Sequence, residues 1–334
     1  MRAAVLRKLP TETLDVSEVE TPSELAADEL LIEVAACGIC GTDVHILAGS
    51  SYRPELPFVT GHEPVGTVVA AGSAGLSDWL GRRVTQTLFT GCGECPTCRD
   101  GNGDERLCPN LRAATGVLGQ WGGFAEYLRV RAAQVVEAPK SLADDAVATL
   151  VDAGATALNA VRTVLARKRE RVIVVGAGPV GFVIAEALRT EGLLPLVVEP
   201  NPRRRAAVAA AGHQTAASLE EAQEESPDCV VDGAGASQVP GWALSALGPR
   251  GLLVAVGYTI VPELDLAPIA RKELSIRGVR SGSRADLSRA LDLAARGAIR
   301  LPSVATWPLD RINEAFAALR AGRVEGKAVV TVAS

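Results

Sequence analysis

Six of the seven cysteines and two of the three histidines fall between Cys37 and Cys108. This crowding constrains the fold more than any hydrophobic pattern, because a loop that closes on a metal ion needs little core of its own. Two patterns share the stretch. One is Cys40-Gly41-Thr42-Asp43-Val44-His45, followed by Gly61-His62-Glu63, and the other is Cys92-x2-Cys95-x2-Cys98-x9-Cys108. Cys and His are preferred zinc ligands, and close spacing lets one loop wrap one ion. Two clusters predict two sites with separate roles.

Cys92, Cys95, Cys98 and Cys108 form a closed four-thiolate set. Four sulfurs leave no position for water or substrate, so a zinc held there is structural. The extra residues of this lobe, Asp100-Gly101-Asn102-Gly103-Asp104, are glycine-rich and acidic. A loop absorbs such length at small entropic cost. A catalytic zinc instead needs three protein ligands and one open position. Cys40 and His62 are the first two candidates, and the third must come from elsewhere in the chain. Cys37 reads as a buried thiol, and Cys229 and His213 as structural residues.

A different texture begins near residue 145. Arg171-Val172-Ile173-Val174-Val175 is an apolar run that ends in Gly176-Ala177-Gly178-Pro179-Val180-Gly181 and continues into a helix pattern over Phe182 to Thr190. A second run, Leu196-Val197-Val198, ends in Glu199, about 20 residues on, as a dinucleotide site requires. Gly176 allows the tight turn, Gly178 lets backbone approach a pyrophosphate, and Gly181 lets helix and strand pack closely. Pro179 and Val180 open the helix whose free N–H groups face the phosphates. Glu199 should accept hydrogen bonds from the adenosine ribose, and its charge disfavours a 2′-phosphate, so NAD is expected over NADP. Arg203, Arg204 and Arg205 oppose that expectation in part, because an arginine can hold that phosphate.

Further apolar runs, Cys229 to Asp232, Leu252 to Val256 and Leu274 to Gly278, are spaced by helical patterns. Strand–helix alternation of this kind predicts βαβ units and a parallel sheet. Before residue 140, short strands such as Leu30 to Ala35 and Gly66 to Ala70 alternate with Gly/Pro/Cys loops, which suits a compact β domain. Asp144 to Val164 reads as one helical stretch, and Ile312 to Ala321 and Lys327 to Val332 as a closing helix and strand.

The chain has 334 residues, 48% of them apolar, enough for two domains with sizeable cores. The net charge of −5 and the lack of a long basic run argue against nucleic acid. No apolar stretch reaches membrane-spanning length and no signal peptide is expected, so a cytoplasmic protein with metal-binding thiols is expected.

The motifs now stand in an order that resembles the zinc-containing medium-chain alcohol dehydrogenases. Cys40-Gly-Thr-Asp-x-His45, Gly61-His-Glu63, the cysteine lobe, Gly122-Gly-Phe-Ala-Glu-Tyr127 and Gly176-x-Gly-x-x-Gly181 carry the likeness. It implies an α/β fold: a GroES-like β-rich catalytic domain over 1–146 and 279–334, and a six-stranded Rossmann domain over 147–278. It supplies Asp152, four residues before Thr156, as the third zinc ligand, with Thr156 among the cofactor-binding residues. The gap from Cys98 to Cys108 is longer than the family commonly has.

The resemblance also implies a mechanism. Asp43 orients the imidazole ligand, and Glu63 lies behind the zinc and can join it transiently. Thr42 relays the alcohol proton towards the nicotinamide ribose, and His45 passes it to solvent. The hydride moves from the alcohol carbon to the nicotinamide. Two zinc ions per chain, a small alcohol or ketone as partner, and a homodimer or homotetramer joined through Leu274 to Gly278 are expected. Thr42 and His45, with the short loop to Pro57, are more like the polyol, butanediol, threonine and cyclitol enzymes than the ethanol enzymes, which favours a secondary alcohol or polyol. Phe89, Leu118 and Trp121 are candidate pocket walls. A zinc-free reductase of C=C or quinone substrates would not need Cys40, His62 and Asp152, and a non-catalytic binding protein would not need Thr42 and His45.

Overall fold

A computed structural model describes residues 1–99, 104–223, 226–261 and 263–332. The chain divides into two compact units, the first holding Met1–Asp152, Ser283–Ala295 and Ser303–Ser334, the second Ala153–Gly282 and Arg296–Pro302. The divisions thus fall after Asp152 and Gly282 rather than after 146 and 278, and residues 296–302 return to the second unit.

The first unit is built on a seven-stranded sheet. Its path runs Val135–Glu137, Arg83–Gln86, Glu63–Ala71, Glu29–Ile39, Lys327–Thr331 and Val304–Pro308, and Tyr127–Arg131 also pairs with Glu29–Ile39. The central strand Glu29–Ile39 carries buried Leu30, Ile32, Val34, Cys37 and Ile39. These join one core with Phe124 and Phe316, whose rings meet edge to face at 6.1 Å. The tail strand Lys327–Thr331 runs antiparallel to the central strand, with Val329 opposite Gly38. On the other side Glu63 is opposite Gly38. The start of one outer strand and the end of the chain are thereby brought to the same point of the sheet.

The second unit is a six-stranded sheet in the order Gln214–Ala216, Leu196–Val198, Val172–Val175, Cys229–Asp232, Leu252–Ala255, Ser275–Gly278, with every pair parallel. Its inner strands are continuous apolar runs because helices cover both faces. Val172–Val175 and Cys229–Asp232 are fully buried. The strand order reverses between them, which is where a doubly wound sheet opens a crevice for its ligand. The edge strand Ser275–Gly278 is exposed along its whole length. This is the parallel sheet expected from the spacing of the apolar runs, in the Rossmann arrangement that the resemblance implied. Gln214–Ala216 gave no such signal, since two of its three residues are polar.

The helical stretch expected over 144–164 is two helices, Asp144–Leu150 and Ala153–Leu165. The turn between them contains Asp152, whose carboxylate faces the side chains described next. Residues 100–103 of the lengthened cysteine loop lie outside the described residues. Among the described residues no helix is long and apolar enough to cross a membrane.

Candidate active site and metal centres

Cys40 precedes the short helix Gly41–Leu47 as its N-cap. Asp43, one turn in, accepts a hydrogen bond from the Cys40 N–H at 2.9 Å through Oδ2. Its other oxygen, Oδ1, accepts from the Gly61 N–H at 3.3 Å and lies 3.4 Å from His62 Nδ1. That last contact is too poorly aligned to count as a hydrogen bond. One buried carboxylate thus fixes both ligand-bearing segments and faces the imidazole on its far side. His62 Nε2 points the other way and lies 4.0 Å from Asp152 Oδ2. Asp152 Oδ2 is 3.9 Å from Cys40 Sγ. One donor atom from each of Cys40, His62, Glu63 and Asp152 falls within 4.8 Å of all the others. All four residues belong to the first unit.

This donor set fits zinc. One thiolate, one imidazole and one carboxylate are the mixed ligands that catalytic zinc accepts, and a tetrahedral ion would set their atoms about 3.4–3.6 Å apart. The observed separations are within about half an ångström of that. The electrostatics agree. Burial lowers the affinity of His62 for a proton, yet Asp43 and Cys40 together raise its pKa well above the usual imidazole value. The pocket is negative and favours a cation. Thr42 Oγ1 lies 3.8 Å from Cys40 Sγ, and His45 is exposed with Nδ1 3.4 Å from Ser50 Oγ.

The second candidate centre is in the cysteine lobe. Donor atoms of Cys92, Cys95, Cys98 and Cys108 lie within 4.8 Å of one another. The Cys95–Cys98 and Cys95–Cys108 sulfur separations are 3.5 and 3.8 Å. A disulfide would need about 2.05 Å, whereas four sulfurs around one zinc stand about 3.8 Å apart. The loop is prepared for thiolates. Cys92 Sγ accepts N–H bonds from Glu94 and Cys95 at 3.5 and 3.3 Å, and Cys108 Sγ accepts one from Cys92 at 3.3 Å. The Glu94 and Cys95 N–H groups pull the Cys92 thiol down to about 6. The Gly93 N–H draws the Cys98 thiol down, but burial and the neighbouring sulfurs together push it up to about 12.

In the second unit Gly176 has φ +92°, and a Cβ on Gly181 would collide with the Gly176 carbonyl. Nothing lies within 4 Å of where a Cβ on Gly178 would stand, so that side of the turn is open. Pro179 and Val180 start the helix Pro179–Thr190, for which Gly178 is the N-cap. Glu199 is buried. Its Oε2 accepts from the Ala177 N–H at 2.7 Å and its Oε1 from the Asn201 N–H at 2.8 Å. Arg205 folds back onto the Glu199 carbonyl at 2.8 Å, and Arg203 and Arg204 give their N–H groups to Asn201 Oδ1. Thr156 is buried in the helix Ala153–Leu165. Of the candidate pocket walls, Trp121 lines a groove with Arg112, Gln120, Tyr127 and Arg129 that includes none of the metal-ligand candidates.

Two residues carried no weight in the sequence reading. Asp232 ends its strand with Oδ1 accepting from the Ala234 and Gly235 N–H groups at 3.1 and 2.9 Å. It caps the loop at the point where the strand order reverses. Lys327 is 3% exposed and donates to Glu63 Oε1 at 2.6 Å. A lysine opening the otherwise buried strand Lys327–Thr331, in a chain with few lysines, was the signal available for it.

Residues 26–140 match the alcohol dehydrogenase GroES-like domain and residues 205–330 the zinc-binding dehydrogenase domain. An alcohol dehydrogenase of Geobacillus stearothermophilus is 33% identical, the match covering 99% of this chain and 98% of that one. An L-threonine 3-dehydrogenase of Chelativorans is 30% identical over 99% of this chain and 98% of that one. A thermostable alcohol dehydrogenase from Pyrobaculum aerophilum, solved with cobalt and zinc bound, superposes with a TM-score of 0.89 at 27% identity over 99% of both chains. Identity at this level along nearly the whole length, on the same two-part fold, makes the chain a member of the zinc-containing medium-chain alcohol dehydrogenase family, an oxidoreductase acting on CH–OH groups.

Proposed function

We propose that the protein interconverts a secondary alcohol or polyol and its ketone with NAD⁺/NADH, using one catalytic and one structural zinc per chain. The observation that carries this reading is the convergence of Cys40, His62 and Asp152 beside the Thr42 hydroxyl. A zinc ion held by those three residues supplies Lewis acidity that lowers the pKa of an alcohol at the remaining position.

The chain's own groups do the rest. Cys40 and Asp152 would bring two negative charges to balance a divalent ion, which would take the place of the proton on His62 Nε2. Asp43 faces His62 Nδ1, with Nε2 turned to the site. Thr42 takes the alcohol proton onward, and the exposed His45 releases it to water. A nicotinamide bound to the chain would accept the hydride from the alcohol carbon, so each turnover would yield one ketone, one NADH and one proton. Glu199 has both oxygens engaged by backbone N–H groups, yet a carboxylate offers about four acceptor positions, so it can also take the ribose hydroxyls. Its fixed charge is the basis for favouring NAD. The turn of Gly176, Gly178 and Gly181 and the helix opened by Pro179 and Val180 receive the pyrophosphate, with Arg204 and Thr156 alongside. The four-cysteine lobe carries the structural ion.

Thiolate ligands support a reducing compartment, the cytoplasm. The open edge strand Ser275–Gly278, with Ile276 46% exposed, supports assembly into a homodimer or homotetramer through that edge. Light scattering tests it, and a monodisperse monomer would remove it.

The test of function is absorbance at 340 nm with zinc-replete protein, NAD⁺ or NADP⁺, and a panel of secondary alcohols, diols, sugar alcohols, cyclitols and threonine. NADH formation with one chemical group supports the reading and names the substrate type. Activity confined to primary alcohols or to NADP⁺ would overturn its substrate or cofactor half.

A further inference from the structure

The central strand Glu29–Ile39 separates Glu63–Ala71 from Lys327–Thr331. Neighbouring strands lie about 4.8 Å apart, so the two outer strands are about 10 Å from each other. Side chains from both can meet only where the strand between them presents no side chain of its own. Gly38 is that place. It is opposite Glu63 on one side and Val329 on the other, and a Cβ there would collide with Glu63 Oε2 and come within 2.9 Å of Lys327 Cε. Through this gap Lys327 Nζ reaches Glu63 Oε1 at 2.6 Å and contacts Oε2 as well, with both side chains shut off from water.

A buried ion pair of this kind seldom adds net stability over an apolar pair of the same volume. Its position gives it another use. Glu63 follows His62 directly, and its carboxylate is within 4.8 Å of the donor atoms of Cys40, His62 and Asp152. It therefore stands between two cations, the ammonium of Lys327 and the metal those three residues would hold. If Glu63 ligated the metal continuously, the position left for the alcohol would be closed.

We propose that Lys327 is a positioning residue that competes with the metal for Glu63, so that the carboxylate stays on the ammonium while substrate occupies the open position. The inference rests on the reading of Cys40, His62 and Asp152 as the catalytic ligands. Gly38 belongs to the same device, because any side chain there would part the pair.

The test uses enzyme with cobalt in place of the catalytic zinc, and compares wild type, Lys327→Met, Lys327→Arg and the double variant Glu63→Gln/Lys327→Met. Cobalt absorption and the rate of cobalt loss to a chelator are read alongside turnover. In Lys327→Met the freed carboxylate should join the metal, shift the absorption, and change metal release by roughly 10- to 100-fold towards slower loss. Lys327→Arg and the double variant should return towards wild type. Wild-type absorption and release in Lys327→Met, with only a lower melting temperature, would reduce the pair to a structural clasp and overturn the proposal. Should Lys327→Met fail to fold, Glu63→Gln serves instead. Its unpaired ammonium should speed metal loss, and unchanged loss would overturn the proposal. If Cys40→Ser leaves the cobalt spectrum unaltered, the ion is not at this site, and both the ligand reading and the Lys327 inference fall.

Discussion

Cys40 Sγ lies 3.9 Å from Asp152 Oδ2, although 112 positions separate the two residues in the chain. A thiolate and a carboxylate that close would repel by about 4 kcal/mol at an effective dielectric constant near 20, a repulsion that a cation between them would offset. Asp152→Ala and Cys40→Ser should each lose one of two zinc ions and lower turnover below roughly 1% of wild type. NADH should still bind, because the dinucleotide turn belongs to the second unit. Metal analysis, steady-state rates and NADH fluorescence titration check all three. Full activity in either variant would remove the ligand assignment.

The cysteine lobe should respond differently. Its N–H···S bonds hold Cys92 and Cys108 for a metal, but no residue of the lobe belongs to the Cys40 cluster. Cys98→Ser should lose the other zinc and lower the melting temperature by roughly 5 °C or more, since structural metal binding contributes directly to folding. Rates measured below the new melting temperature should remain well above those of Asp152→Ala. A Cys98→Ser protein with both metals and an unchanged melting temperature would mean that the lobe folds without an ion.

Glu199 allows a cofactor prediction with a magnitude. Hydrogen bonds to a charged acceptor are worth about 1.5–3 kcal/mol. Glu199→Gln should therefore raise KM for NAD⁺ by roughly 10- to 100-fold and lower the preference over NADP⁺. The Ala177 and Asn201 N–H groups also lose their charged partner, so the turn itself loosens. An unchanged ratio of kcat/KM for the two cofactors would show that another group reads the ribose.

The sequence made the chemistry more legible than the geometry. Cys92, Cys95, Cys98 and Cys108 announced themselves by spacing, because short gaps limit where four sulfurs can go. The apolar runs of the second unit declared its parallel sheet, most plainly Val172–Val175 and Cys229–Asp232, since strands covered on both faces have no alternation to hide them. The sixth strand, Gln214–Ala216, has a covered neighbour on one side only and a polar composition to match. Asp152 needed a family likeness, because an aspartate between two helices looks the same whether it caps or coordinates. The partner of Lys327 was hidden for a further reason. Glu63 is 264 residues away, and the glycine that lets them meet is on a third strand. No local pattern encodes a contact assembled from three strands.

His213 was read as structural, and its partner gives a pH prediction. His213 Nε2 lies 2.8 Å from Glu186 Oε1, and both side chains are buried. Glu186 Oε2 also accepts from the Arg300 N–H at 2.7 Å and from Arg189 at 2.9 Å. Segment 296–302 is thereby tied to the helix that follows the dinucleotide turn. Burial alone would raise the Glu186 carboxyl, but His213, Arg189 and the Arg300 N–H hold it down to about 2. An unfolded chain would leave it near about 4.3. A carboxyl depressed by folding stabilises fully above its unfolded value, and that contribution is lost as pH falls from about 4.3 towards 2. The difference amounts to roughly 3 kcal/mol. Urea midpoints should thus fall more steeply below pH 5 in wild type than in Glu186→Gln, which should already be less stable at pH 7. Parallel pH profiles for the two proteins would show that the depressed carboxyl makes no such contribution, and that the cluster stabilises the fold only through packing.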